Sequence, residues 1–244
     1  MIIVKYGEIA LKGGNRGLFE KKLQHNIKDC LKKNNVPFRT VTRYRGRILI
    51  DCDKECKELA YVFGIVSFSN VQEVELNLDK MKEVALNLYT EGSFRVSCKR
   101  GEKIFMTSPE IERELGAYVV DNNGAKVNLT KPNCTIFIEI FHKTAYMYNN
   151  KEKGLGGLPV GIQGRVGLLL QDETSIDAGL KLMKRGCNLL LIKENDVDIS
   201  ELNKYRYGFS LKEGKEEDVI AIVVNDTLDS LRDYGNKLVL RPLI

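Results

Sequence analysis

Apolar residues recur along the chain with two periods, and the switches between them mark the elements. Residues 2–6 (IIVKY) read as a short strand, followed by a loop, 7–15, with three glycines. Asn15 then precedes a helix that runs to about Lys33. Leu18, Phe19, Leu23, Ile27, Cys30 and Leu31 recur on it at helical spacing, and Lys21, Lys22, Lys28 and Lys32 fall on the opposite face. Pro37 closes the connection. Two strands, 38–42 and 47–51, flank a tight turn at 44–46. Residues 54–62 read as a short helix ended by Gly64, and 65–76 alternates like one strand.

A second pattern begins near residue 77. An amphipathic helix covers 78–89, with Met81, Val84, Ala85 and Leu88 on one face, and a strand covers 94–99. Ser108 is placed to cap the next helix, with Pro109 at its first position, and the run Asn122-Asn123-Gly124 stops it. Residues 135–141 and 144–148 pair through a turn at His142-Lys143. Residues 151–164 hold five glycines and one proline. Beyond them the runs 166–170, 188–192, 219–224 and 237–240 suit buried strands, with helices expected to about Lys184 and over 227–234. The order β-α-β-β-α-β in the first 76 residues is the ferredoxin-like split βαβ arrangement. The alternation after residue 165 implies a small doubly wound α/β unit. The fold class is therefore α/β, with an α+β N-terminal half.

Charge changes this picture more than composition does. Apolar residues make up 43% and charged residues 29%, ordinary for a globular chain. The net charge is only +5, but residues 1–50 hold 12 Lys/Arg against 3 Asp/Glu. That asymmetry suggests a polyanionic partner. No apolar run is long enough to span a bilayer, and MIIVKYGEIA lacks the pattern of a signal peptide, so a cytoplasmic protein without a membrane partner is expected. Of the six cysteines only Cys52 and Cys56 lie close, and no second pair answers them; His25 and His142 stand alone. No metal site is expected, and the cysteines read as small, reduced apolar residues.

Several short strings, in order, resemble the tRNA 4-thiouridine synthetases, or tRNA sulfurtransferases. They are Val4-Lys5-Tyr6-Gly7-Glu8, Lys12-Gly13, Asn15-Arg16, Val62-Phe63-Gly64-Ile65, the segment 154–161 (GLGGLPVG), Met183-Lys184-Arg185-Gly186 and the segment 240–244 (LRPLI). The resemblance implies a ferredoxin-like domain over 1–76, a THUMP domain over 77–150, a glycine-rich connection over 151–165 and a small Rossmann-like parallel-sheet domain over 166–244, related to the PP-loop ATP pyrophosphatases. It also implies tRNA as partner, at the acceptor-stem region, and a homodimer.

One departure from that family bears on chemistry. The family's first strand of the ATP domain enters a Ser-Gly-Gly-x-Asp-Ser loop, whose glycines let backbone N–H groups approach phosphates. Here the strand enters Gln171-Asp172-Glu173-Thr174-Ser175. Asp172 and Glu173 would fill the helix N-terminus with negative charge, and only Ser175 keeps a match. The family's sulfur-handling cysteine has no counterpart at Cys187, and the ATP domain reads as reduced. The expectation is thus a tRNA-binding protein with no catalytic residue and no cofactor, handing tRNA to a modifying enzyme. The alternative is an active ATP- and magnesium-dependent thiolation enzyme, or a subunit of one.

RNA-binding residues are expected in three groups. Lys12, Asn15, Arg16, Lys21 and Lys22 surround the first loop and helix start. Arg43, Arg45 and Arg47 lie about the hairpin turn. Lys99, Arg100 and Lys103 follow a strand of the second pattern. Arginines alternating along a hairpin can span phosphates and bind them in bidentate fashion. Tyr44 is the tyrosine placed to stack on a base, whereas Tyr6, Tyr146 and Tyr148 are expected to pack against strands.

Overall fold

A computed structural model describes residues 1–102 and 104–244. The first strand, β1 (Ile2–Lys5), leads through two 3-10 turns, Glu8–Leu11 and Gly13–Asn15, into α1 (Arg16–Lys33). Then come β2 (Phe38–Tyr44), β3 (Arg47–Cys52) and β4 (Ser67–Asn70). Next are β5 (Gln72–Glu75), α2 (Leu78–Leu88), β6 (Ser93–Arg100), α3 (Ser108–Asn123), β7 (Lys126–Val127), β8 (Cys134–Phe141) and β9 (Thr144–Tyr148). The last part holds β10 (Glu152–Lys153), β11 (Arg165–Leu170), α4 (Thr174–Lys184), β12 (Asn188–Lys193), the one-turn α5 (Ser200–Asn203), β13 (Lys212–Glu213), β14 (Ala221–Val223) and β15 (Leu238–Leu240). Among the described residues no helix is long and apolar enough to cross a membrane.

The chain forms two compact units. One comprises residues 69–151 with the first three residues, the other residues 4–68 with 152–244. In the first, strands β5-β9-β8-β6-β7 make a five-stranded sheet, and β6 lies parallel to β8. Helical spacing puts Met81 and Ala85 of α2, and Ile111, Leu115 and Val119 of α3, against Phe94, Val96, Ile136 and Ile138 of that sheet. The cap of α3 is Thr107, one residue earlier than expected. Its side chain accepts from the Glu110 N–H while Glu110 accepts from the Thr107 N–H, so Ser108 is already inside the helix. The tyrosines pack as expected, Tyr146 stacked on Phe141 and Tyr148 on Phe137.

In the second unit, β4-β1-β3-β2 form the ferredoxin-like strand order, extended by β10 at the β4 edge. The expected helix at 54–62 is only a 3-10 turn, Lys57–Tyr61. The single strand expected over 65–76 is two. β4 and β5 belong to different sheets, which an alternation of side chains cannot reveal because both halves keep the same period.

The remaining sheet is wholly parallel, in the order β13-β12-β11-β14-β15. Counted within this domain the order is 3-2-1-4-5, that of doubly wound nucleotide-binding sheets, and the order reverses between β11 and β14. No helix covers 227–234. Thr227 donates its N–H to Ser230 Oγ, and Arg232 its N–H to Asp226 Oδ2. Side chains there take the backbone donors that a helix would need.

The two domains of this unit are joined by a stripe of α1. Asn26 Nδ2 donates to the Val160 carbonyl at 3.2 Å, Lys22 Nζ to the Gly208 carbonyl at 3.2 Å, and Asp29 accepts the Gly208 N–H at 2.7 Å. The glycine-rich segment is part of the same packing. Gly156 exchanges hydrogen bonds with Gly64 and Ile65, and a Cβ on Gly157 (φ +74°) would lie 2.3 Å from the Lys184 carbonyl oxygen. Only glycine fits there.

Candidate nucleic-acid interface

Two of the three predicted cationic groups converge. The Tyr6 hydroxyl donates to Glu20 Oε1 and accepts from Arg16 Nη2 at 2.9 Å and from the Gly46 N–H at 3.0 Å. Arg16 Nε binds the same Glu20 oxygen at 2.7 Å. Arg43 Nη1 adds a bond to the Gly17 carbonyl at 3.3 Å. The loop carrying Lys12, Asn15 and Arg16 is therefore tied to the hairpin carrying Arg43, Arg45 and Arg47. Burial, then the neighbouring Glu20 carboxylate, push the Tyr6 hydroxyl pKa up, so it stays protonated and keeps its donor. Tyr6 and Glu20 were missed as organisers of this surface. Read from sequence alone, Tyr6 is a strand residue facing a core.

Within this surface Asn15, Lys21 and Arg45 are exposed, whereas Arg43, Tyr44 and Arg47 are half-buried. The Lys12 ammonium lies 5.3 Å from the centre of the Phe19 ring. No side chain caps the start of α1, and no acidic residue occupies its first turn. Lys22 departs from the group: it faces Gly208, and burial lowers its pKa. The third group belongs to the other unit. There Lys99 is exposed and Arg100 Nη1 is bound to the Met106 carbonyl at 2.8 Å. Lys103 lies outside the described residues.

At the reversal in strand order, the loop 171–175 satisfies itself. Ser175, fully buried, accepts the N–H of Gln171 at 3.1 Å and of Asp172 at 3.4 Å through its Oγ. Asp172 Oδ1 accepts the Thr174 N–H at 2.8 Å, the Thr174 hydroxyl at 2.6 Å and Asn225 Nδ2 at 2.7 Å. The Thr174 hydroxyl and amide, with Asn225, hold the Asp172 carboxyl below its usual range. The Ser175 and Ile176 amides are bonded to the Asp172 and Glu173 carbonyls. A phosphate arriving at α4 would meet a carboxylate and backbone donors already bonded within the loop. The residues present do not fit a triphosphate. Of the two acidic residues expected to fill this position, Asp172 does so and Glu173 caps nothing.

A second layer lies behind that loop. Asp226, buried, accepts from the Tyr234 hydroxyl at 2.9 Å, Arg241 Nε at 3.0 Å and the Arg232 N–H at 3.2 Å. Burial opposes ionisation of Asp226, but these donors outweigh it and keep the pKa low. Asn195 Nδ2 closes on the Gln171 carbonyl at 2.6 Å. Asn195, Asn225 and Asp226 were not singled out from sequence, although polar residues just past apolar parallel strands are a usable signal.

All six cysteines are buried and unpaired. Burial pushes the Cys52, Cys98 and Cys187 thiols up. Cys56 differs, because a hydrogen bond from Cys30 lowers it. Among the described residues no group of three His, Cys, Asp or Glu is placed to hold a metal ion.

Comparison with known proteins adds two domain families. The ThiI ferredoxin-like domain matches residues 1–69 and the THUMP domain residues 75–150. A probable tRNA sulfurtransferase of Thermococcus kodakarensis is 32% identical, over 97% of this chain and 68% of its own length. One from Moorella thermoacetica is 36% identical, over 88% of this chain and 55% of its own. The chain thus spans about half to two thirds of such relatives. Among solved structures, PH1313 from Pyrococcus horikoshii superposes with a TM-score of 0.90 at 30% identity, covering 100% of this chain and 94% of that one. A 4-thiouridine synthetase, solved with RNA and bound ATP, gives a TM-score of 0.68 at 30% identity, covering 79% of this chain and 52% of that one.

Proposed function

This chain belongs to the tRNA sulfurtransferase family, and from that premise we propose that it binds tRNA without carrying out adenylation or sulfur transfer itself. The observation that carries the reading is the Tyr6 hydroxyl, which gathers the cations of the first loop and of the hairpin onto one surface. Lys12, Arg16, Lys21, Arg43, Arg45 and Arg47 then offer a row of charge to phosphates, beside an α1 start that no side chain caps. Shape and backbone charge are what a folded RNA presents to such a surface. RNA in the solved 4-thiouridine synthetase complex supports RNA as the polyanion, and we take the acceptor-stem region of tRNA as the part bound. Lys99 and Arg100 belong to the THUMP domain, and we take them as RNA contacts of that unit.

The second half of the proposal rests on the loop 171–175. In an ATP-using relative this position must leave amides open to phosphate; here Asp172 and Ser175 occupy them. The chain then serves as a tRNA-binding partner for a modifying enzyme, and as a homodimer. Calorimetric titration separates the halves. Titrating tRNA should give saturable binding that weakens steeply with salt, and titrating magnesium–ATP should give no heat of binding. Saturable magnesium–ATP binding would restore the alternative, an ATP-dependent thiolation enzyme or a subunit of one.

A further inference from the structure

A cavity of about 620 Å³ lies beside α4 and β15, lined by Glu8, Lys181, Lys184, Arg185, Leu240 and Pro242 among others. Its size is within the ~300–1,000 Å³ of pockets that hold small organic ligands. It joins the two domains of one unit, since Glu8 opens the loop that runs on to Lys12, Asn15 and Arg16. Lys184 and Arg185 are exposed at the end of α4, and Glu8, also exposed, lines the same cavity. Among the described residues none of these three side chains has a hydrogen-bond or ion-pair partner. The Lys181 ammonium is fixed on the Pro242 carbonyl at 2.9 Å, and Leu240 and Pro242 supply an apolar wall.

An unpaired carboxylate and unpaired cations lining one cavity ask for a ligand with both characters. A bare polyphosphate would be repelled by Glu8. A nucleotide unit within an RNA chain carries one phosphate charge, a hydroxyl donor at its ribose 2′ position and an apolar base face. We infer that this cavity takes one nucleotide of the bound RNA, with its phosphate on Lys184 and Arg185 and its ribose 2′-hydroxyl donating to Glu8. The inference rests on the tRNA-binding reading and gives the C-terminal domain a direct part in it. The 2′-hydroxyl is the group by which a protein separates RNA from DNA, so Glu8 is the specificity residue of the pocket.

The test compares the wild-type chain, Lys184→Ala with Arg185→Ala, and Glu8→Gln, after thermal unfolding has shown each variant folded. Lys184→Glu with Arg185→Glu serves as a second version of the cation variant. Affinity for tRNA is measured against salt, and a single-stranded RNA is compared with DNA of the same sequence. The cation variant should bind tRNA about tenfold or more weakly, and its slope of log K on log salt should fall by about 0.7–0.9 for each lost phosphate contact. Glu8→Gln should keep the slope and weaken RNA-over-DNA preference, because its amide oxygen still accepts from the 2′-hydroxyl but without the charge. A wild type that binds no tRNA overturns the family-based reading and this one together. Wild-type tRNA binding with an unchanged slope in both cation variants overturns the pocket alone. Adenosine monophosphate binding that the cation variant loses while its tRNA binding stays intact also overturns it, in favour of a free-nucleotide site.

Discussion

Asp172 and Asn225 meet across the reversal in strand order, with Asn225 Nδ2 donating to Asp172 Oδ1 at 2.7 Å. The bond joins the loop after β11 to the segment after β14. In open α/β sheets that is the crevice where a ligand binds. Asn225 also donates to the Thr174 hydroxyl at 2.8 Å, so both sides of the crevice are latched by side chains of this chain. The same position that gathers phosphates in a glycine loop is here filled from within.

Removing the two acidic side chains should not reopen the crevice to ATP. In Asp172→Gly with Glu173→Gly, the amides of residues 171 and 172 remain within reach of Ser175 Oγ, and the Asp226 layer behind them is untouched. The double variant should show no pyrophosphate release with magnesium–ATP and tRNA. Measurable turnover would refute the account of this loop.

The arginines of the hairpin should act as phosphate contacts. Arg43→Ala, Arg45→Ala and Arg47→Ala together should weaken tRNA binding and lower its salt slope by about two to three units, near 0.7–0.9 per contact. Arg45→Ala alone, at the exposed tip, should lower it by about one contact. Binding against salt concentration reads both, and an unchanged slope in the triple variant removes the hairpin from the interface.

Tyr6→Phe tests whether the surface depends on its organiser. The change deletes one hydroxyl, yet it strands the Gly46 N–H and removes a partner from Arg16 and Glu20. The expected cost is about 1–3 kcal/mol, that of leaving part-buried groups unsatisfied, read from the denaturant midpoint. Affinity for tRNA should fall as well, although Tyr6 is not proposed to touch RNA. Full affinity in a destabilised variant would mean that loop and hairpin hold their places without it.

Much of this architecture was legible in the sequence where local period and core burial agree. The helix with Leu23 and Ile27 inward and the apolar run 166–170 need no long-range information. What stayed hidden was set by distant partners. The strand change at Val71 depends on which sheets receive β4 and β5. The failed helix at 227–234 depends on Asp226 and Ser230 capturing backbone donors. Lys22 counts as one cation among several until Gly208, far along the chain, turns it inward. The charge excess was readable; its assembly through Tyr6 was not.

Gly208 itself should tolerate no side chain. Its φ is +80°, and a Cβ there would lie 1.8 Å from Asn26 Oδ1. Gly208→Ala must either strain the backbone or displace Asn26, whose amide holds Val160 at 3.2 Å. A loss of at least about 2 kcal/mol is expected, read from equilibrium unfolding. Its main site should be the junction of the ferredoxin-like and C-terminal domains, seen as faster amide exchange around Val160 and Gly208.

Asp29 makes the same junction sensitive to acid. Burial would raise its pKa, but the Gly208 N–H, then Lys33 at 2.8 Å, outweigh it and hold the carboxyl below its usual range. An aspartate in the unfolded chain titrates near ~3.9. A group depressed on folding contributes stability that is present above that pH and is lost as pH falls through the folded value. Asp29→Asn should therefore lower stability at neutral pH and flatten the decline of stability below about pH 4. Unfolding midpoints taken from pH 7 down to acid should converge for the two proteins. Parallel curves, offset equally at every pH, would assign the effect to lost packing and not to the charge at the Gly208 amide.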